Sequence, residues 1–150
     1  MANEKLTTGL RGLALLKEIE GLKLQAYQDT GGVWTIGYGT TRIDGKPVTP
    51  GLKITQPQAE EYLKRDVIRF ESDVRNVIKV PLTQNQFDSL VVFTYNLGGG
   101  NLLKSTLARF INAGKPIVED LFTRWNQDNG QVIDGLTRRR KAEFALFKTP

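Results

Sequence analysis

The chain contains neither cysteine nor histidine. Without cysteine it can form no disulfide and has no thiol nucleophile. Without histidine it can build neither a Ser-His-Asp nor a Cys-His triad, and the usual zinc sites are excluded as well. No serine stands in a Gly-x-Ser-x-Gly elbow; the serines are Ser72, Ser89 and Ser105. If the chain is an enzyme, carboxylates are therefore the leading candidates for its chemistry.

Long apolar runs are also missing. No run approaches the roughly 18 residues of a transmembrane span, so we do not expect the chain to be embedded in a membrane. The first residues, Met1 to Lys5, lack the apolar core of a signal peptide. As written, the chain is expected to stay in the cytosol where it is made, an expectation that a natural N-terminal anchor would overturn.

Basic residues outnumber acidic residues. The chain has 21 lysines and arginines against 16 aspartates and glutamates, which gives a formal net charge of +5. This balance favours a polyanionic partner. Nucleic acid, an anionic membrane and the acidic bacterial cell wall all fit, and the charge alone does not choose among them.

A helix is predicted to end where a glycine-rich stretch begins. Apolar residues recur every three positions and predict an amphipathic helix that begins near Thr7 or Thr8; they are Leu10, Leu13, Leu16 and Ile19. Gly21 stops this helix, so Glu20 lies in its last turn. The negative end of the helix dipole disfavours an ionised carboxylate there by a few tenths of a kcal/mol, up to about 1.

Turn signals after this helix predict a small sheet. Asp29 is followed by Thr-Gly-Gly at residues 30–32, which is typical of a turn, and Asp44-Gly45 is a strong hairpin signal. The sheet is expected to end by residue 54. In its polar turn, Asp29 should stay ionised, although an aspartate at such a position usually serves only to stabilise the turn.

The residues between these turns alternate as a strand would. Trp34, Ile36 and Tyr38 share one face of the predicted strand, and Thr35 points to the other. Gly37 and Gly39 lie on the same side as Thr35. We expect this face, which lacks bulk, to allow a ligand to approach the backbone closely.

The remaining chain reads as helices. Capping boxes at Thr55–Gln58 and Thr83–Gln86 open two of them. The first is long enough to join two lobes, and its predicted inner face comprises Ala59, Leu63, Val67, Phe70, Val74 and Val77. Three glycines at residues 98–100 end the second helix. The next predicted helix has an apolar face formed by Leu103, Leu107, Phe110 and Ile111, and Pro116 opens the helix after it. An exposed loop is predicted at residues 126–131, and a last helix at residues 136–147.

These elements predict an α+β fold, mostly helical and two-lobed, with a small antiparallel sheet near the N-terminus. We expect residues 1–150 to form one domain. The sheet-containing lobe should cover about residues 20–56, and the helical lobe about residues 80–150 together with the N-terminal helix.

Three strings carry a family resemblance. Glu20, Asp29 and Thr35, followed at once by Ile-Gly-Tyr-Gly-Thr, resemble the catalytic hairpin of the phage-type, T4-like lysozymes, which are endolysins. The segment Gly135–Glu143 resembles the Gly-Leu-x-x-Arg-Arg-x-x-Glu segment of that family, and Phe93–Gly98 is a third match. Together they lie at the start, middle and end of the chain, so the resemblance covers nearly all of it. It implies a lysozyme-like fold.

Glycoside hydrolysis needs one carboxylic acid and one carboxylate on opposite faces of the scissile bond. We expect Glu20 to be the general acid, because its helix-end position and aromatic neighbours disfavour its charge. The resemblance implies that Asp29 and Thr35 hold the attacking water, with inversion at the anomeric carbon. Judged singly, each of the three would be an ordinary surface or strand residue.

The resemblance also implies residues outside this set. Arg139 matches the arginine that pairs with the catalytic acid and would orient Glu20, although the run Arg138–Lys141 could instead be a solvated basic helix face. Tyr95, Ser105 and Thr41 match residues that line the cleft or contact the sugar. Tyr95 could equally be a core aromatic, and Ser105 a helix-start hydroxyl. Thr40 departs from the pattern, because T4-like members have a histidine there.

The implied function is a muramidase that hydrolyses the β-1,4 bond between N-acetylmuramic acid and N-acetylglucosamine in peptidoglycan. No cofactor and no metal are implied, and a monomer is expected. The enzyme would wait in the host cytoplasm until a holin-type pore admits it to the cell wall in the periplasm. Its positive charge would assist binding to the anionic wall.

Two other functions compete with this one. A nucleic-acid-binding module built on Arg138–Lys141 would explain the charge, but no aromatic residues interleave with the basic run. It would also leave the Glu20 to Thr41 string unexplained. A wall-binding relative without catalysis is disfavoured because all three catalytic-type residues are present.

Overall fold

The computed structural model describes residues 2–150. The chain divides into two compact units, one formed by residues 1–13 with Arg69–Pro150 and the other by Ala14–Ile68. The division falls inside the first two helices. The predicted α+β class, mostly helical with small antiparallel sheets, is confirmed.

Seven helices and six strands are assigned in the described residues. In chain order they are α1 Leu10–Glu20, β1 Lys23–Gln28, β2 Trp34–Gly37, β3 Arg42–Ile43, β4 Lys46–Pro47, α2 Gln56–Val77, α3 Gln84–Leu97, α4 Gly99–Lys104, α5 Thr106–Asn112, α6 Asp120–Thr123, β5 Gln127–Asp128, β6 Gln131–Val132 and α7 Asp134–Lys148. The strands form three two-stranded antiparallel sheets. No helix in residues 2–150 is long and apolar enough to cross a membrane.

The unit formed by Ala14–Ile68 holds the two hairpins that precede α2. Strands β1 and β2 pair with Tyr27 opposite Thr35, and a register shift separates this pair from Lys23 opposite Gly37. Strands β3 and β4 join through Asp44 and Gly45, whose φ angles of 51° and 79° are those of a tight hairpin turn. The predicted hairpin at Asp44-Gly45 is confirmed.

The other unit packs mainly aromatic and aliphatic side chains between α3, α6 and α7. Phe93 makes edge contacts with Phe122 at 5.9 Å and with Trp125 at 6.0 Å. Phe87, Phe93 and Phe122 are completely buried. Such aromatic pairs stabilise a core by about 0.5–1.5 kcal/mol beyond their burial.

Both predicted capping boxes are present. Gln58 N–H donates to Thr55 Oγ1 while the Gln58 side chain accepts from Thr55 N–H, and Thr83 and Gln86 repeat this exchange at α3. The predicted inner face of α2 is buried from Ala59 to Val74. Val77 is only half-buried, and the next residue, Ile78, is the buried one.

Two carboxylates fix the N-terminus of α1. Asp88, which is buried, accepts from Gly9 N–H at 2.9 Å and from Gly12 N–H at 3.1 Å. Glu71 accepts two hydrogen bonds of 2.6 Å, one from the N–H and one from the hydroxyl of Thr8. These residues satisfy backbone donors that the first turn of a helix leaves unpaired. The helix therefore begins at Leu10 rather than near Thr7 or Thr8.

Several predictions about the helices were wrong. Leu10 and Leu103, expected on inner faces, are 87% and 69% exposed. Pro116 opens no helix, because residues 115–118 are irregular and α6 begins at Asp120. Only Gly98, with φ 89°, turns the chain after α3, since Gly99 and Gly100 already belong to α4. Residues 127–131 are exposed as predicted and Asn126 is half-buried, but these residues form most of the β5–β6 hairpin and not a loop.

Candidate active site

Glu20 is the last residue of α1, as the sequence predicted. Gly21 follows with φ +69°, a conformation that glycine adopts without strain, and its N–H donates to the Lys17 carbonyl at 2.9 Å. The Glu20 side chain is half-buried. The local sequence thus places a carboxyl group at the C-terminal end of a helix.

Asp29 builds the turn between β1 and β2. Its Oδ1 accepts from Gly31 N–H at 2.9 Å and from Val33 N–H at 2.8 Å, and its carbonyl accepts from Gly32 N–H at 3.0 Å. The side chain is exposed. Oδ2 accepts no hydrogen bond from the part of the chain that the structure describes. One oxygen therefore orients the carboxylate, while the other is available for chemistry.

Thr35 lies on β2, buried to all but 4% of its surface. Its hydroxyl donates to the Val33 carbonyl at 3.0 Å. A hydroxyl that donates once still carries two acceptor lone pairs, so this bond fixes the oxygen without exhausting it. The same carbonyl accepts from Asp29 N–H at 2.9 Å, which links Thr35 to the Asp29 turn through Val33.

The face that Thr35 shares with Gly37 is not open, contrary to the prediction. The strand ends at Gly37, which has φ +67°, so the alternation does not continue to Gly39. A Cβ on Gly37 would lie 3.3 Å from the Cβ of Ala59 on α2. The missing side chain makes room for that helix and not for a ligand.

Tyr27 lies within the electrostatic influence of both Glu20 and Asp29. Burial raises the pKa of its phenol, and the negative charges of Glu20 and then of Asp29 raise it further. Both carboxylates are therefore close enough to act on one side chain, which also lies opposite Thr35 in the sheet. From the sequence, Tyr27 was expected only as one of the aromatic neighbours of Glu20. Tyr27 lies near the end of β1, two residues before Asp29 in the turn that follows, and this spacing was the available signal.

Thr40 replaces the histidine of T4-like lysozymes with a neutral donor. Its hydroxyl, which is buried, donates to Asp66 Oδ2 at 2.7 Å. A hydroxyl-to-carboxylate hydrogen bond therefore occupies this position. The next residue, Thr41, is exposed, and its carbonyl accepts from Val48 N–H at 3.0 Å.

The other predicted site residues belong to the unit formed by residues 1–13 and 69–150. Tyr95 is half-buried and packs edge-on against Phe70 with ring centroids 5.3 Å apart. Ser105 is 3% exposed, donates to the Leu102 carbonyl and accepts from Ala108 N–H. Of the two roles that the sequence left open for Ser105, this geometry favours the helix-start hydroxyl. Arg139 is half-buried on α7.

The basic run on α7 does not form one face. Arg138 and Lys141 are exposed, but Arg140 is completely buried and its Nη2 donates to Glu143 Oε2 at 2.7 Å. The alternative nucleic-acid site at Arg138–Lys141 therefore loses one of its arginines to the interior. The sequence analysis missed this pair, although Arg and Glu three residues apart on a helix were a signal for it.

The chemistry available in the described residues is that of carboxylates and hydroxyls. No group of three or more metal-ligating side chains lies together in residues 2–150. Glu20, Asp29, Thr35 and Thr41 lie in one unit, and Tyr95, Ser105 and Arg139 lie in the other.

The comparisons with known proteins point to one family. A family model described as phage lysozyme matches residues 17–143. An endolysin of Bacillus phage PZA is 43% identical over 141 residues, which is 92% of this chain but 54% of the relative, so the chain spans about half of that protein. The solved structure of the endolysin from Escherichia coli O157:H7 phage FAHEc1 has a TM-score of 0.91 and 44% sequence identity to this chain. The match covers 96% of this chain and 94% of the endolysin chain. The muramidase domain of SpmX from Asticaccaulis excentricus has a TM-score of 0.87 and 36% sequence identity to this chain. The match covers 97% of this chain and 100% of that domain's chain.

Proposed function

Because the chain belongs to the phage lysozyme family, we propose that it is an endolysin-type muramidase. Its substrate is peptidoglycan, and the bond it hydrolyses is the β-1,4 linkage between N-acetylmuramic acid and N-acetylglucosamine. The observation that carries this proposal is the pair of carboxylates, Glu20 and Asp29, which both act on Tyr27. The similarity to a muramidase domain and to phage endolysins supports it.

Glu20 is the proposed general acid. Its proton goes to the glycosidic oxygen as the bond to the anomeric carbon breaks. Glu20 lies at the C-terminal end of α1, where its side chain is half-buried. In the family pattern, Arg139 is the residue that orients the acid.

Asp29 and Thr35 are proposed to hold the attacking water. Two backbone N–H groups fix Asp29 through Oδ1, so Oδ2 can accept a proton from water without any rearrangement of the turn. The Thr35 oxygen can accept the second water hydrogen, since its own hydrogen is directed to the Val33 carbonyl. Attack by a water held in this way inverts the anomeric centre. The carboxyl groups of inverting enzymes are roughly 6.5–9.5 Å apart.

The remaining contacts with the glycan are assigned from the family pattern. Tyr95 and Thr41 are proposed to contact sugar rings or their hydroxyls. Ser105 is the weakest of these assignments, because its hydroxyl already donates and accepts within the turn that begins α5.

The biological setting is part of the same proposal. The enzyme acts as a monomer on the cell wall in the periplasm, after it crosses the host membrane through a holin-type pore. The net charge of +5 assists binding to the anionic wall, and this contribution should weaken as salt is added.

The test is cleavage of purified peptidoglycan, followed by loss of turbidity and by mass spectrometry of the products. A muramidase leaves N-acetylmuramic acid at the new reducing ends. Glu20→Gln should lower the rate about 10²- to 10⁴-fold, because loss of a general acid typically costs that much. Glu18→Gln is the matched control, since Glu18 is exposed on the same helix. Full activity of the Glu20→Gln protein would exclude the assignment, and a gel shift with DNA would revive the nucleic-acid alternative.

A further inference from the structure

The muramidase mechanism uses none of the polar atoms buried on the inner side of α7. Arg140 and Glu143 are both completely buried, and a single hydrogen bond of 2.7 Å from Arg140 Nη2 to Glu143 Oε2 joins them. An ion pair inside a protein is costly unless hydrogen bonds also satisfy the remaining donors and acceptors of both partners.

Those remaining atoms have no partner in the described part of the chain. Arg140 Nε and Nη1, Glu143 Oε1 and the indole Nε1 of Trp125 are buried and make no hydrogen bond with residues 2–150. A buried donor or acceptor that is left unsatisfied is costly, and more so where it is charged. Four such atoms in one region are unusual, because about 90% or more of buried polar groups are paired with protein or with ordered water.

The side chains around these atoms cannot satisfy them. The Arg140 guanidinium lies over the Phe93 ring, 5.3 Å from its centroid, and Trp125 meets the same ring edge-on at 6.0 Å. Ser89, a nearby polar side chain, already donates to the Glu143 carbonyl at 2.6 Å. Arg140 and Trp125 thus both contact the Phe93 ring, which offers neither of them a conventional hydrogen-bond acceptor.

We propose that Arg140, Glu143 and Trp125 bind ordered internal water molecules. With Glu143 ionised, these atoms comprise three donors and one acceptor, and a buried water typically makes two to four hydrogen bonds to such groups. An anion would meet the Glu143 carboxylate and a cation would meet the Arg140 guanidinium, so a neutral dipolar ligand fits best. The water molecules complete the hydrogen bonds of the ion pair and of the indole. This inference does not depend on the proposed enzymatic activity.

The experiment measures water at these atoms in the unmodified protein. Nuclear Overhauser effects are measured between water and two protons, the Arg140 Nε–H and the Trp125 indole N–H. Their sign should be that of water that stays at these atoms for longer than about a nanosecond, which is longer than surface water stays. Trp34, the other tryptophan of the chain, is the internal reference, since its indole is not among the unsatisfied buried atoms. Trp125→Phe identifies the Trp125 signal by its disappearance.

A crystal structure at high resolution gives the second measurement. We expect density for water within about 3.2 Å of the four atoms. Absence of both the long-lived water signals and the density would overturn the proposal. Anomalous signal at the site after a bromide soak would also overturn it, because it would identify an anion site.

Discussion

The Thr40 hydroxyl donates a 2.7 Å hydrogen bond to Asp66, and it does so from a side chain that is 1% exposed. A buried hydroxyl bonded to a carboxylate contributes about 1.5–3 kcal/mol. Thr40→Val keeps the shape and removes the donor, so we expect the free energy of unfolding to fall by roughly this amount in a urea titration. Thr40→Ser retains the donor, so its free energy of unfolding should fall by less. Equal decreases in the two variants would show that packing, not the hydrogen bond, decides stability here.

Asp29→Asn should separate the structural role of Asp29 from its chemical role. The amide oxygen can still accept from the N–H groups of Gly31 and Val33, so the turn and the midpoint of thermal unfolding should be nearly unchanged. The proposed base is lost, so the rate of peptidoglycan cleavage should fall about 10²- to 10⁴-fold. An active Asp29→Asn protein would mean that Asp29 serves only the turn. Asp29→Ala, which removes both roles, should lose stability as well as activity.

Gly12 is expected to tolerate no side chain. A Cβ at this position would lie 2.8 Å from the Cβ of Asp88, whose carboxylate binds the start of α1. Gly12→Ala should therefore reduce the free energy of unfolding by about 1–3 kcal/mol, as measured by denaturant titration. Gly100→Ala is the matched control, because no atom lies within 4 Å of its Cβ and α4 includes the residue. We expect it to be neutral or to stabilise by up to about 1 kcal/mol.

Glu143 should make stability depend on pH near neutrality. Burial raises the pKa of Glu143 to about 7, against the lowering effects of the Arg140 charge and hydrogen bond. The folded chain therefore keeps a proton that the unfolded chain releases at its ordinary pKa near 4.5. The retained proton contributes to the free energy of unfolding. This contribution is fully present below pH 4.5 and is lost as the pH rises through 7. Its full size is about 3 to 4 kcal/mol, because one pKa unit corresponds to about 1.4 kcal/mol.

The measurement is the free energy of unfolding between about pH 5.5 and 7.5, a window in which ordinary carboxylates are already ionised. The absence of histidine makes this window unusually clean, since no imidazole titrates in it. Unfolding should become easier as the pH rises. Glu143→Gln should remove most of the slope, whatever its effect on absolute stability; a slope that persists in this variant would assign the proton to another group.

Local signals in the sequence determined the ends of several elements and the identity of the candidate catalytic residues. Gly21 ends α1, two threonines cap α2 and α3, and Asp44-Gly45 turns a hairpin, because each depends on backbone and side-chain interactions within a few residues. Glu20, Asp29 and Thr35 were identified as candidates because one short string resembles a family motif.

Packing between distant segments decided the rest. Gly37 is small because Ala59 packs against it, Leu10 and Leu103 are exposed despite their apolar spacing, and Arg140 is buried with Glu143 although its neighbours are basic. A periodic pattern indicates that a helix has an inner face, but only the tertiary structure decides which side chains other segments cover. Burial and the pKa of a buried group depend on that covering, so these properties could not be obtained from the sequence.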